Sequence, residues 1–415
     1  MGEKMSIPDL ETIRGWSVPL ERGHQDKTAC TLNELKERIE RNELCRLKVI
    51  LLTPILGGGF HVLNEDEEGK AELLVDLNTP VRPSEIRGHL RFWWRMLKPG
   101  AKKPADLLAE EEAIFGGPAA EGGKAKGPNL TLTVNVPWSL YVDEQVRHLK
   151  KPDARRVILA KQAKNLIPPF VAWPYTDKLV TFPLKGKLER NAFDMEISFR
   201  KDLRPEQAKE FSEALRLWLG LGGVGARVRR GAGAAIPSPF WTKKDWEWLE
   251  KKVKGIGSRA KAGPPYLEEV RRAYAPPPED MDQVKLTYEH VFLAWNWAAE
   301  TYKELLSEKF PSKKRDKQRD ARRRAVLGAP FPWAKEFRDA RLASPIIFRP
   351  TIIEDEVYIL VARLKNLGDE TSCEISANDG FIREFYKEFV NRLESSRPEK
   401  PKTEGSGKKR KARRK

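Results

Sequence analysis

The sequence predicts an α+β protein whose first half is ferredoxin-like. Three observations carry this. Leu47–Leu52, Leu130–Val136 and Phe193–Phe199 alternate with the period of strands. Ser84–Leu97 and Pro205–Leu219 place apolar residues at helix spacing. Laid along the chain, and closed by a short strand through Ala234-Ala235-Ile236, they read strand, helix, strand, strand, helix, strand.

The elements follow in order. A polar arm runs to about Asn42, and the first strand ends at Thr53-Pro54. Gly57-Gly58-Gly59 is a permissive turn, and Asn64 to Gly69 an acidic hairpin tip. Ser84, behind Pro83, is the expected N-cap of the first helix, with Glu85 at its positive end. Gly116–Pro128 reads as a mobile loop and Pro168–Pro183 as irregular and aromatic. Two proline clusters in Ala260–Glu279 and the tryptophan-rich stretch from Trp241 place a domain boundary near residue 240. Beyond it come a helix over Leu286–Phe310, strands at Ile346–Phe348 and Glu356–Arg363 joined across Glu354-Asp355, and a helix over Phe381–Leu393. The tail from Ser395 is expected to be disordered. The division is 1–240, 241–394 and 395–415.

The chain has 415 residues and a net charge of +17. Lys408–Lys415 and Lys313–Arg324 together hold thirteen of those charges, so the remaining body is only mildly basic. Three cysteines without close spacing do not make a zinc finger or a disulfide framework, and the five histidines show no metal spacing. No motif asks for a cofactor or a metal; the acidic tip Glu65–Glu68 reads as a solvated turn. No apolar run approaches the ~18 residues of a membrane span, so a soluble, cytoplasmic chain without membrane contact is expected.

Gly223-Val224-Gly225-Ala226-Arg227-Val228-Arg229-Arg230-Gly231-Ala232-Gly233 sets two Gly-apolar-Gly triplets around five residues, three of them arginine. Gly223, Gly225, Gly231 and Gly233 let a backbone approach a ligand, and Arg227, Arg229 and Arg230 add forks that suit phosphate. The loop is either a flexible basic turn or a polyanion cradle. It is not a P-loop, because no Gly-Lys-Ser/Thr closes it. On the first helix Arg87, Arg91 and Arg95 form a stripe, one per turn, beside the apolar face of Ile86, Leu90, Trp93, Trp94 and Leu97. It is either a solvated face or a phosphate track; no acid within the stripe pairs with it. His89 is expected to be a satisfied, partly buried histidine. His61, after the triple glycine, is the better acid/base candidate, though without a visible partner.

These residues resemble the RAMP superfamily (repeat-associated mysterious proteins of CRISPR systems). The Gly223–Gly233 loop is similar to its two-triplet signature. Pro83-Ser84-Glu85-Ile86-Arg87-Gly88-His89-Leu90-Arg91 is similar to its first-helix motif, with glutamate where a second serine often stands. Thr53–Gly59, Arg91–Arg95, Ile114–Gly117, Leu327–Pro330 and Arg341–Ile346 narrow the likeness to first subunits of the type III-B Cmr effector complex. The resemblance covers roughly residues 45–395. It implies two ferredoxin-like, RRM-type domains and a non-catalytic subunit that holds single-stranded RNA, crRNA and target RNA, among other Cmr subunits. The loop, the arginine stripe, His61 and Arg341 of the second domain are then the expected RNA-binding residues. Some superfamily members cut RNA without metal, often with a histidine, which leaves an endoribonuclease using His61 or His89 as the alternative.

Overall fold

The computed structural model describes residues 30–56, 61–65, 71–75, 81–98, 104–117, 127–136, 168, 171, 191–201, 203–257, 266–277, 286–310, 327, 344–365 and 379–396. In the first half these form α1 (Leu32–Glu40), β1 (Cys45–Leu51), β2 (His61–Glu65), β3 (Ala71–Val75), α2 (Pro83–Met96), α3 (Pro104–Phe115), β4 (Leu130–Asn135), β5 (Ala192–Phe199), α4 (Pro205–Leu221) and β6 (Ala235–Ser238). The second half holds α5 (Lys243–Gly257), β7 (Tyr266–Tyr274), α6 (Tyr288–Lys309), β8 (Ile346–Ile353), β9 (Glu356–Lys365) and α7 (Asp379–Ser395).

The first sheet has the order β4-β5-β1-β6, every pair antiparallel. Alternation sets its register. Cys45, Leu47 and Val49 are buried, while Arg46 and Lys48 are only half-buried. Arg46 lies directly opposite Glu196 and donates to it at 2.9 and 2.6 Å. The helices α2 and α4 pack together over the other face. Ile86, Leu90, Trp93 and Trp94 of α2 meet a core that includes Phe211, Leu215 and Trp218 of α4. The predicted order strand, helix, strand, strand, helix, strand is present as β1, α2, β4, β5, α4, β6. The hairpin β2–β3 and the helix α3 are inserted into it.

The second sheet has the order β7-β9-β8, again antiparallel. Among the described residues it has three strands, one fewer than a second unit of the same order needs. Its hairpin turns through Glu354 and Asp355, both left-handed (φ 49° and 70°), at the predicted position. α6 and α7 cover one face. There Tyr302, Phe348, Phe385 and Phe389 form an aromatic cluster with centroids 5.1–5.6 Å apart.

Several expectations need correction. The N-cap of α2 is Arg82, with Pro83 as the first helical residue; Ser84 sits one position inside and makes no cap bond. The polar arm contains α1, whose capping box joins Thr31 and Glu34 (3.0 and 3.3 Å). Between the two proline clusters of Ala260–Glu279 runs β7, a strand that the sequence did not single out. The triple glycine, the acidic tip beyond Glu65, most of the Gly116 and Pro168 loops, Lys313–Arg324 and the tail beyond 396 lie outside the described residues.

A Cβ on Gly88, inside α2, would meet nothing within 4 Å. Helix propensity alone then decides, and Gly88→Ala should raise stability by about 1 kcal/mol in a urea titration.

Candidate nucleic-acid interface

The glycine loop is a braced structure rather than a flexible turn. It leaves α4 at Gly222 and closes on itself where Val224 N donates to Gly233 O at 2.8 Å. Its far wall is Thr53–Leu56. Gly233 N donates to Pro54 O (2.8 Å) and Ala226 N to Leu56 O (2.5 Å). The Thr53 hydroxyl donates to Gly231 O at 2.6 Å and accepts from Ala234 N at 2.7 Å. Trp218 Nε1 donates to Gly223 O from the helix side. At Gly233 (φ 59°) a Cβ would sit 1.8 Å from Val224 O, so glycine is obligatory. Arg227, the non-glycine residue of the loop at positive φ (62°), starts a single 3-10 turn, Val228–Arg230.

Two of the three loop arginines turn inward. Arg230 is buried and donates to Ile346 O (3.0 Å), the Tyr302 hydroxyl (2.9 Å) and Leu327 O (3.3 Å), with its guanidinium 4.2 Å from the Tyr302 ring centroid. Arg229 is half-buried, lies 5.3 Å over the Phe92 ring and donates to Ser344 O. Burial, then the neighbouring Arg230 charge, lowers it to about 10. Both therefore hold the loop to the second half, and neither guanidinium is left for phosphate.

A matching contact comes from the opposite side, from a residue the sequence did not single out. Arg349, in the middle of β8, is 0% exposed. It donates to Gly222 O and to Ala235 O (2.9 Å), the carbonyls at the two ends of the glycine loop. Burial lowers it to about 9. Arg230 and Arg349 thus cross between the halves in opposite directions. Among the described residues, each is satisfied by carbonyls, hydroxyl and rings rather than by a carboxylate.

The arginine stripe of α2 also divides. Glu111 of α3, 2% exposed at its side chain, holds Arg95 through two bonds (2.5 and 2.9 Å) and lies 3.6 Å from Arg91. Arg91 further donates to the carbonyls of Phe115 and Gly116. The acid absent from the stripe is supplied by another helix. Arg87 is the exception: no ion pair involves it among the described residues, and its Nε is buried without a partner. Arg82, one turn earlier, has the same unpartnered Nε.

Glu85 joins the start of α2 to the loop and feels the charge of Arg82. Its Oε1 accepts from Gly225 N at 2.5 Å, and its Oε2 is buried without a partner. Burial pushes this carboxyl above the usual range, against the Gly225 amide and Arg82. His89 packs alongside, hydrogen-bonded to the Gly223 backbone. Burial lowers its pKa, and its Nδ1 has no partner. The edge assembled here is Glu85 and His89, with Arg82 at the start of α2, against Gly223–Gly225; Arg87 lies on the side of α2 that carries Arg91. His61 begins β2, but its side chain lies outside the described residues, as does Arg341.

Arg349→Ala should lower unfolding free energy by about 3 kcal/mol in a denaturant titration, because two buried carbonyls lose their donor. Gly233→Ala should destabilise at least as much. Arg95→Ala, which leaves the buried Glu111 carboxylate with only the longer Arg91 contact, should cost about 2 kcal/mol.

Residues 48–236 match the model of the RAMP superfamily, a stretch that holds α2, the bracing segment Thr53–Leu56 and the glycine loop. No curated protein has a sequence that matches this one. Among solved structures, the chain is similar to Cmr1 from Pyrococcus furiosus in its apo form, at 16% identity over 83% of this chain and 96% of that one (TM-score 0.45). It is also similar to a chain of the type III-B Cmr-beta complex bound to cognate target RNA, at 14% identity over 84% of this chain and 99% of that one (TM-score 0.44).

Proposed function

We propose that this chain is a non-catalytic, RNA-binding subunit of a crRNA-guided type III-B effector complex, with both halves serving as ferredoxin-like units, three strands of the second being among the described residues. The observation that carries the reading is the RAMP match over residues 48–236, because it encloses the braced glycine loop and the helix packed on it. The motifs of the Cmr first subunits that extend beyond this match support the narrower assignment.

The RNA-binding edge is smaller than the sequence suggests. Arg82 brings the charge next to the loop, Gly225 the half-exposed backbone, and Arg87 and Arg227 are further proposed contacts on the neighbouring helix side and in the loop. Arg91, Arg95, Arg229 and Arg230 act behind this edge as braces; Arg341 and His61 are proposed as RNA contacts on the sequence resemblance alone. Such contacts position a strand through its phosphates without reading its sequence. Glu85 restrains the edge. Its carboxylate occupies the Gly225 amide, a donor that an incoming phosphate oxygen would use, so RNA has to displace it. Nothing in this arrangement pairs a nucleophile with a base. His89 is held to the Gly223 backbone by a ring whose pKa burial depresses, and it serves as packing.

With each phosphate contact worth ~0.7 in the log-affinity versus log-salt slope for a single strand, the Arg82→Ala/Arg87→Ala protein should lose about 1.4 of slope. An unchanged slope would remove α2 from the interface. Glu85→Ser frees the Gly225 amide and deletes a negative charge, and should tighten binding about 5-fold at neutral pH, equivalent to about 1 kcal/mol. On a denaturing gel the bound RNA should remain intact; products that persist in EDTA and vanish with His89→Ala would establish the endoribonuclease instead.

A further inference from the structure

The second sheet carries a feature that the glycine-loop edge does not explain. Tyr274, at the end of β7, is the register partner of Tyr358 in β9, so their side chains leave the same face. Their rings lie 5.5 Å apart at 57°. Arg272, two residues earlier on that face, sits between rings: its guanidinium is 5.0 Å from the Tyr358 centroid and 5.1 Å from that of Trp246 on α5. Trp246, Arg272, Tyr358 and Tyr274 form a ladder that starts in the core, where Trp246 is 2% exposed, and ends in solvent, where Tyr274 is 46% exposed.

Two properties of the ladder point to a ligand. No hydrogen bond or ion pair engages Arg272 among the described residues, so aromatic faces hold the cation while its N–H donors stay available. Tyr274 also presents its ring to solvent; among the described residues the other large exposed apolar side chains are Leu44, before β1, and Leu108, in α3. An exposed ring of this kind makes a stacking surface for one planar group. Glu356 bounds the site by accepting the Tyr358 hydroxyl at 2.5 Å, which leaves Tyr274 as the outer step.

We propose that Tyr274 and Arg272 form a second RNA subsite, in which one unpaired base stacks on Tyr274 and the Arg272 fork binds its phosphate or the acceptor edge of the base. Stacking of this kind tolerates every base, because each presents a π face. The proposal rests on the RNA-binding reading above and adds to it a base contact on the other half of the molecule.

The test is a fluorescence-anisotropy titration of labelled single-stranded RNA with the full chain, repeated over a range of salt. Tyr274→Ala should weaken binding about 10-fold and leave the salt slope unchanged, because no phosphate contact is lost. Tyr274→Phe, which keeps the ring, should stay within about 2-fold of the original protein. Matching melting curves confirm that the surface substitutions leave the fold in place. An Ala variant with undiminished affinity overturns the subsite while RNA binding by the chain stands; such a result would assign Tyr274 to a protein neighbour. A starting protein with no affinity for RNA overturns both readings.

Discussion

The glycine loop keeps its shape because two buried arginines cross between the halves of the molecule in opposite directions. Arg230 leaves the loop to bind Ile346 O, Leu327 O and the Tyr302 hydroxyl; Arg349 leaves β8 to bind Gly222 O and Ala235 O. A guanidinium suits this work better than an ammonium, since its rigid fork reaches two carbonyls at once. Burying a cation without a carboxylate is costly, and the lowered basicity of Arg349 expresses that cost. The arrangement persists because the carbonyls at the ends of a tight loop need donors of their own. Loop and β8 each hold the group that the other lacks. The consequence is a loop held in one conformation, half-exposed only over Gly225–Arg229, with little entropy left to lose when a ligand binds.

This division explains why a loop with three arginines offers so few of them. Charge that points inward cannot also meet phosphate. The same logic applies on α2, where Glu111 of α3 takes Arg95 and Arg91 and leaves Arg87 and Arg82. The functional edge is what remains once the structural demands for cations have been met. It lies where the start of α2 meets Gly223–Arg227, between helix dipole and loop amides that both favour an anion.

Much of this was legible in the sequence, and the failures have identifiable causes. Periodicity located β1, β4, β5, α2, α4 and α6, because a buried face imposes a pattern on each, and the Glu354-Asp355 turn located the β8–β9 hairpin. The pairing of Arg91 and Arg95 was not legible: a helical wheel sees acids on its own helix, and Glu111 comes from the next one. Nor could charge in a loop tell an inward arginine from an outward one. Arg349 did leave a signal, a cation in the midst of Ile-Ile-Phe-Arg-Pro-Thr-Ile-Ile, where a strand apolar on both faces must bury whatever it contains. Thr31-x-x-Glu34 likewise announced α1 inside a segment that looked merely polar.

Glu85 shows how one residue can alter the behaviour of a shared motif without altering its fold. In the first-helix motif that this segment resembles, the counterpart of Glu85 is often a serine, whose hydroxyl is small and neutral. The carboxylate instead reaches Gly225 N and satisfies it from within the chain. It does so under protest from its surroundings: burial raises its pKa, and one oxygen finds no donor. On the proposed reading, a bound phosphate would face the Gly225 amide and the Arg82 cation in place of Glu85. The carboxylate would then act as an internal competitor: it keeps the unliganded loop satisfied and favours a strand that engages several contacts together.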